Sequence, residues 1–236
     1  MGERTAKEAM ILAGGLGTRL RSAVADRPKP MAEVGTRPFI AFLLEQLVRF
    51  RFQRAVICVG HMGDYVPKVL GDSYGPLQLV YSFEHSPLGT GGALRNAIDL
   101  VSGADILAMN GDSFCDIDLL ALSEAHRTYG GAATLAALPQ NDRRRAGTVK
   151  TDDNGRIVEF ESRPAVPTPG LINAGIYMLR RDVVQSIPTE ANISLEDNIF
   201  PHLVDRGALY AWQVEGRFID IGTPESYAAA QTFFNH

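Results

Sequence analysis

Apolar positions in the first half of the chain follow two rhythms. Short unbroken runs, Met10 to Leu12, Ala55 to Val59, Leu77 to Tyr81 and Ile106 to Met109, have the length and composition of buried strands. Between them lie longer segments with apolar residues at three- and four-residue steps. Phe39 to Phe52 carries Phe39, Phe42, Leu43, Gln46, Leu47 and Phe50, and Gly92 to Val101 carries Ala93, Leu94, Ala97, Ile98 and Val101. Each stripe predicts a helix with one face on a core. Strands alternating with such helices predict an α/β fold, a mainly parallel sheet flanked by helices in the Rossmann-like manner.

After about Tyr129 the rhythm changes. Ala132 to Leu138, Thr148 to Lys150, Arg156 to Phe160 and Ile172 to Leu179 read as strands, with Asp152-Asp153-Asn154-Gly155 as a hairpin turn. A helix is expected near Leu195 to Val204 and a strand at Tyr210 to Val214. A last helix should start at Thr223-Pro224-Glu225, which supplies a capping hydroxyl, a proline at the first helical position and an acid in the first turn. The pattern suggests a small β-rich lobe added to a continuing sheet. One domain over residues 1–236 is expected, with a first part at about 10–130 and a second at about 131–236.

Composition narrows the partners. The 236 residues are 45% hydrophobic and 21% charged, with a formal net charge of −4. That supports a sizeable core and gives no basic footprint for nucleic acid or an anionic membrane. No run is long enough to span a bilayer, and Met1 to Ala9 is short and mixed in charge, so a soluble cytoplasmic protein is expected. Cys58 and Cys115 lack paired spacing and read as reduced packing residues. Asn192-Ile193-Ser194 matches a glycosylation acceptor, which in such a protein is a chance match.

The chemistry begins at Leu12-Ala13-Gly14-Gly15-Leu16-Gly17-Thr18-Arg19-Leu20. This segment follows the first strand, where an open α/β sheet binds ligands, and its glycines let backbone N–H groups approach phosphate oxygens. A plain turn is the alternative for a glycine cluster alone. The segment has neither the Gly-Lys-Ser/Thr ending of a P-loop nor the third glycine of a dinucleotide fingerprint. It carries Arg19 instead, and Arg27-Pro28-Lys29-Pro30 follows, where prolines fix the backbone around a lysine. Two cations on one loop suit a triphosphate. Asp112, after the run Ile106 to Met109, and Asp220, after Phe218-Ile219, are strand-end carboxylates of the kind that bind magnesium together with phosphate oxygens. A turn or helix-cap role is the alternative for each.

Gly14-Gly15-x-Gly17-Thr18-Arg19-Leu20 followed by Pro28-Lys29-Pro30 resembles the signature of the sugar-1-phosphate nucleotidyltransferases. The likeness continues in order through Leu88-Gly89-Thr90-Gly91-Gly92-Ala93, Asn110-Gly111-Asp112, Glu161-Ser162-Arg163-Pro164, Asn173-Ala174-Gly175-Ile176-Tyr177 and Phe218-Ile219-Asp220-Ile221-Gly222-Thr223-Pro224. It implies an enzyme that joins a nucleoside triphosphate to a sugar 1-phosphate and releases pyrophosphate. Lys29 would meet the α-phosphate, and Arg19 with the amides of Leu12, Ala13, Gly14, Gly15, Gly17 and Thr18 the β- and γ-phosphates. Asp112 and Asp220 would hold Mg2+. The sugar phosphate is already an anionic nucleophile, so no general base is required.

The resemblance also bears on both substrates. Gly89, Thr90 and Gly91 would form a slot for the base. Glu84 stands where thymidylyl-transferring relatives carry an amide, and a carboxylate accepts hydrogen bonds from the paired donors of guanine, which favours GTP. A surface glutamate at a strand end is the alternative. Asn110, Gly147, Glu161 and Asn173 match positions that line the sugar pocket. Arg163 replaces the family's usual lysine on the sugar phosphate, keeping the charge and changing the grip. Without the hexapeptide repeats of longer relatives, the chain reads as a minimal catalytic unit. Among short members it looks closest to the D-glycero-α-D-manno-heptose 1-phosphate guanylyltransferases of bacterial lipopolysaccharide and capsule synthesis. Mannose 1-phosphate guanylyltransferases, then UTP- or dTTP-dependent enzymes acting on glucose or N-acetylmuramic acid phosphate, are the rival enzymes. A regulatory nucleotide-sugar-binding subunit is the rival outside catalysis. A homodimer is compatible with the resemblance, since relatives often pair.

Overall fold

A computed structural model of the chain describes residues 7–141, 147–161 and 169–234. The strands are β1 (Glu8–Ala13), β2 (Glu33–Val34), β3 (Arg37–Pro38), β4 (Arg54–Val59), β5 (Ser73–Tyr74), β6 (Leu77–Phe83), β7 (Asp105–Asn110), β8 (Ser113–Cys115), β9 (Ala133–Gln140), β10 (Thr148–Thr151), β11 (Ile157–Glu161), β12 (Gly170–Arg180), β13 (Leu209–Gln213) and β14 (Phe218–Asp220). The helices are α1 (Ile40–Arg49), α2 (Tyr65–Leu70), α3 (Gly89–Ala97), α4 (Leu119–Tyr129), α5 (Arg181–Gln185), α6 (Phe200–Asp205) and α7 (Pro224–Phe233).

The strands β7, β1, β4 and β6 lie side by side and parallel, which puts β1 in the middle of the sheet. Both faces of β1 are covered. Ala9, Ile11 and Ala13 belong to one apolar cluster with α1, while Met10 belongs to another with α3 and α6. A strand buried on both faces has no polar alternation, which is why Met10 to Leu12 reads as an unbroken apolar run.

The strands of the second half extend the same sheet. β12 pairs antiparallel with β9 along one edge, and along its other edge with β7 at Ile176 to Arg180 and with β10 at Leu171 and Ile172. The pairing with β9 slips between Asn173 and Tyr177, at Gly175, whose φ is +76°. A bulge bends the strand and re-aims its side chains. Here β12 leaves β7 and turns towards β10 and β11.

Helix α1 buries the expected stripe, Gln46 included. The Gln46 amide earns its place by donating to the carbonyls of Cys115 (2.9 Å) and Ile117 (3.2 Å), which fastens α1 to β8. Helix α3 starts at Gly89 and gives way to a 3₁₀ turn at Ile98–Leu100. The helix expected near Leu195 to Val204 is instead a π-helical turn, Leu195–Ile199, followed by α6. At α7 the Thr223 hydroxyl accepts from Ser226 N (3.2 Å) as the sequence suggests. Cys58 and Cys115 are free and buried, and burial pushes both thiols up to about 12. Among the described residues no helix is long and apolar enough to cross a membrane.

Candidate active site

A cleft of about 310 Å³ opens at the carboxyl ends of β1 and β7. Of the expected site residues, Leu12, Ala13, Gly14, Gly15, Gly17, Lys29, Glu84, Gly89, Thr90, Asn110 and Asp112 line it. The sheet accounts for the meeting. Leu12 is in register with Asn110 across the β1/β7 ladder, and Gly111 N donates to Leu12 O (2.9 Å). The glycine loop and Asp112 therefore leave the sheet as neighbours.

Lys29 is placed by its prolines. Pro28 is extended at φ −60° and ψ 145°, and Lys29 opens a one-turn 3₁₀ helix whose Pro30 and Met31 are buried. The lysine side chain is only 12% exposed, and Nζ forms an ion pair with Asp112 Oδ2. A buried ammonium needs such a partner.

Asp220 is far away in sequence. Its position follows from the ribbon in which β14 pairs antiparallel with β8, Asp220 facing Ser113, and from Ile221 N donating to Asp112 O (2.9 Å). Asp220 Oδ1 accepts from Gly222 N (2.8 Å) and Ser226 Oγ (3.2 Å), which orients the carboxylate. Gly222 marks the point of convergence. A Cβ there would lie 2.8 Å from Asp220 Oδ1, 3.5 Å from Arg19 Nη2 and 3.8 Å from Lys29 Nζ. Arg19, Lys29, Asp112 and Asp220 thus surround one small volume, two cations and two carboxylates together. Two hard oxygen ligands suit magnesium, which takes its remaining ligands from phosphate and water. Among the described residues no group of three or more His, Cys, Asp or Glu side chains has the arrangement of an all-protein metal cage.

Glu84 lies on the other side of the glycine loop. Its Oε1 passes so close to Gly14 and Gly60 that a Cβ at either position would collide with it. A side chain at 14 would displace the Glu84 carboxylate from this position. Glu84 Oε2 accepts from Leu88 N (3.3 Å), and burial raises the carboxyl above its ordinary range.

The remaining expected residues are distributed differently. The amide of Gly91 is already engaged, donating to Ile193 O (2.8 Å), and Thr18 is exposed. Asn173 is buried beside the cleft, and its backbone N donates to Gly147 O (2.7 Å). Glu161 is exposed at the end of β11, opposite Thr148. Gly147 and Glu161 are not among the residues lining the cleft. Arg163 lies outside the described residues.

Pro87, Asn192 and Glu196 line the cleft without having been singled out for it. The segment 191–195 reaches there by clasping the start of α3. Ile193 N donates to Leu88 O (2.8 Å), Gly91 N and Gly92 N donate to Ile193 O (2.8 and 3.2 Å), and Leu195 N donates to Thr90 Oγ1 (2.8 Å). Asn192-Ile193-Ser194, the chance glycosylation match, is part of the cleft wall. Tyr177 links the same wall to β7, its hydroxyl accepting from Asn110 Nδ2 (3.3 Å) and Asn173 Nδ2 (2.9 Å).

The cleft is that of a nucleotide-handling enzyme, and the model of the nucleotidyl transferase family matches residues 8–236. The chain belongs to this family. It is similar to the D-glycero-α-D-manno-heptose 1-phosphate guanylyltransferase of Campylobacter jejuni, 35% identical over 93% of this chain and 96% of that protein. It is also similar to the enzyme of that name from Aneurinibacillus thermoaerophilus, 31% identical over 97% of this chain and 99% of that one. Among solved structures, HddC from Yersinia pseudotuberculosis superposes with a TM-score of 0.86 at 30% identity, covering 97% of this chain and 99% of that one. A second structure of HddC, complexed with GMP-PN, gives 0.85. The chain is therefore a nucleotidyltransferase, in a family whose members generally use a divalent metal.

Proposed function

We propose that this chain transfers a guanylyl group from GTP to D-glycero-α-D-manno-heptose 1-phosphate. An oxygen of the sugar phosphate bonds to the α-phosphorus of GTP, the bond from that phosphorus to the oxygen bridging to the β-phosphorus breaks, and pyrophosphate carries the electron pair away. GDP-heptose is the other product. The observation that carries the reading is the convergence of Arg19, Lys29, Asp112 and Asp220, of which Lys29 and Asp112 line the same cleft as the glycine loop.

Lys29 would neutralise the α-phosphate as the nucleophile arrives, and Arg19 with the loop amides would hold the leaving β- and γ-phosphates. Fixed charges of this kind act without reorganising at the moment of reaction. The ion pair with Asp112 keeps Lys29 aimed into the cleft before substrate enters. Asp112 and Asp220 would hold magnesium, which supplies positive charge against the triphosphate. Asn110 and Asn173 would face the sugar, and the resemblance adds Gly147, Glu161 and Arg163 as candidate sugar-phosphate contacts. At the base end, the Glu84 carboxylate suits the N1 and N2 donors of guanine, while uracil and thymine offer one donor between two acceptors. Full-length similarity to two heptose 1-phosphate guanylyltransferases supports both the base and the sugar. A GTP-consuming reaction of this type belongs in the cytoplasm.

The test is pyrophosphate release measured with magnesium over GTP, ATP, UTP, CTP and dTTP, each against heptose, mannose and glucose 1-phosphates. GTP with the heptose phosphate is expected to give the highest kcat/KM. A different best pair would replace the substrates, and release with no pair at all would remove the enzyme reading.

A further inference from the structure

The four hydrogen bonds that clasp segment 191–195 onto the start of α3 bring Glu196 to the lining of the cleft. Its orientation is determined by Asn173. The Asn173 Oδ1 accepts from Gly175 N (2.9 Å), which fixes the amide so that Nδ2 points at Glu196 Oε1 (2.8 Å). The Tyr177 hydroxyl donates to the same oxygen (3.4 Å). Oε1 is thus held on two sides, while among the described residues Oε2 carries no hydrogen bond or ion pair. A carboxylate with one oxygen locked and the other open to a cleft is a preorganised acceptor for a hydroxyl.

We propose that Glu196 is a specificity-determining residue for the sugar, its Oε2 accepting a hydrogen bond from one hydroxyl of the bound sugar 1-phosphate. This rests on the reading of the cleft as a sugar-phosphate nucleotidyltransferase site. The location favours the sugar over the nucleotide. Glu196 shares its hydrogen-bond network with Asn173, Tyr177 and Asn110 on β12 and β7, whereas Arg19 and Lys29 belong to the loop after β1 and are not part of that network. A carboxylate oxygen only accepts hydrogen bonds, so it pairs with a hydroxyl and is repelled by phosphate oxygens. A neutral polyol is the ligand such a group tolerates.

Glu196→Gln is the informative change. The glutamine carbonyl can keep the bonds from Asn173 and Tyr177, so the cleft then sees an N–H donor in place of an acceptor. A hydrogen bond to a charged acceptor contributes about 1.5–3 kcal/mol, or roughly ten- to a hundredfold. The variant is expected to raise KM for the preferred sugar 1-phosphate by about tenfold or more, with KM for GTP within about twofold and no fall in melting temperature. Wild-type protein should show a loss of the same order with one monodeoxy analogue of that sugar phosphate, and the variant should lose little more with that analogue. Equal kcat/KM for wild type and variant on every sugar phosphate would overturn the proposal, as would a loss shared equally by the GTP and sugar KM values. Wild-type protein that binds no deoxy analogue more weakly than the parent sugar would overturn it without any variant. Failure of the underlying function reading looks different, because wild type would then release no pyrophosphate with any sugar phosphate.

Discussion

On one side of the cleft the groups proposed to face the phosphates come from a single stretch of chain, Gly14 to Lys29, that follows β1. On the other side Asn110, Asn173, Tyr177 and Glu196 come from two strands and a π-helical turn, joined by hydrogen bonds between side chains. The first arrangement needs only that a central strand end in glycines and that two prolines hold a lysine. The second needs a bulge at Gly175, a clasp between Ile193 and the start of α3, and an amide fixed by Gly175 N. Under the proposed function, the generic chemistry, the grip on a triphosphate, would sit on the local device, and the selective chemistry, the choice of sugar, on the device assembled from distant parts.

The contrast breaks most visibly at Lys29. If the local loop carries the transfer, Lys29→Ala should reduce kcat by about a thousandfold, the upper range for deleting one preorganised electrostatic group. Its melting curve should move little by comparison. Near-normal pyrophosphate release by this variant would remove Lys29 from the mechanism. Asp220 sharpens the comparison, because it serves the local side through a long-range ribbon. Asp220→Asn can keep the bonds from Gly222 N and Ser226 Oγ while losing its charge. A loss of about a hundredfold in kcat is expected, together with a higher magnesium requirement. Full activity at unchanged magnesium would leave Asp220 as a turn and capping residue only.

The difference between the two sides is also the difference in what the sequence makes readable. Gly14 to Lys29 and Asp112 follow apolar runs whose length and composition mark strands, so their place at the sheet's carboxyl edge follows directly. Asp220 was recognisable as a strand-end acid, but its partner was not, since β8 and β14 are three residues each and too short to show a period. Glu196 and Asn192 gave no signal at all. Their segment read only as a loop leading into a helix near Leu195, and the clasp that brings it to the cleft is made mostly of backbone groups that no side-chain pattern reports. By contrast α4 was legible and overlooked. Asp118 caps it through Leu120 N and Ala121 N, Gly130 closes it at φ +64°, and Leu119, Leu122 and His126 form its buried stripe.

A smaller effect is expected at Glu84, which follows β6, lies against the glycine loop and is proposed to read the base. Glu84→Gln presents the guanine edge with an amide able to meet thymine or uracil as well. The ratio of kcat/KM for GTP over dTTP or UTP should fall by about tenfold, the worth of one charge-assisted hydrogen bond at its lower range. An unchanged ratio would assign base selection to other contacts.

The smallest effect concerns the cost of keeping that carboxylate where it is. Burial raises the Glu84 carboxyl, so the folded protein holds its proton at pH values where the unfolded chain has released it. The folded state then binds more protons than the unfolded state between the two values, and stability falls as pH rises through that window. Above it the ionised, half-buried carboxylate is a standing penalty, offset in part by the Leu88 amide. Glu84→Gln removes the charge and can retain the Leu88 bond. Its melting temperature should therefore exceed that of wild type at pH 7 by a margin that shrinks as pH is lowered through the carboxylate range. A variant less stable than wild type at pH 7 would mean that the ionised Glu84 is held by more than it loses to burial, and the residue would then serve the fold of the loop at Gly14 and Gly60 as much as the nucleotide base.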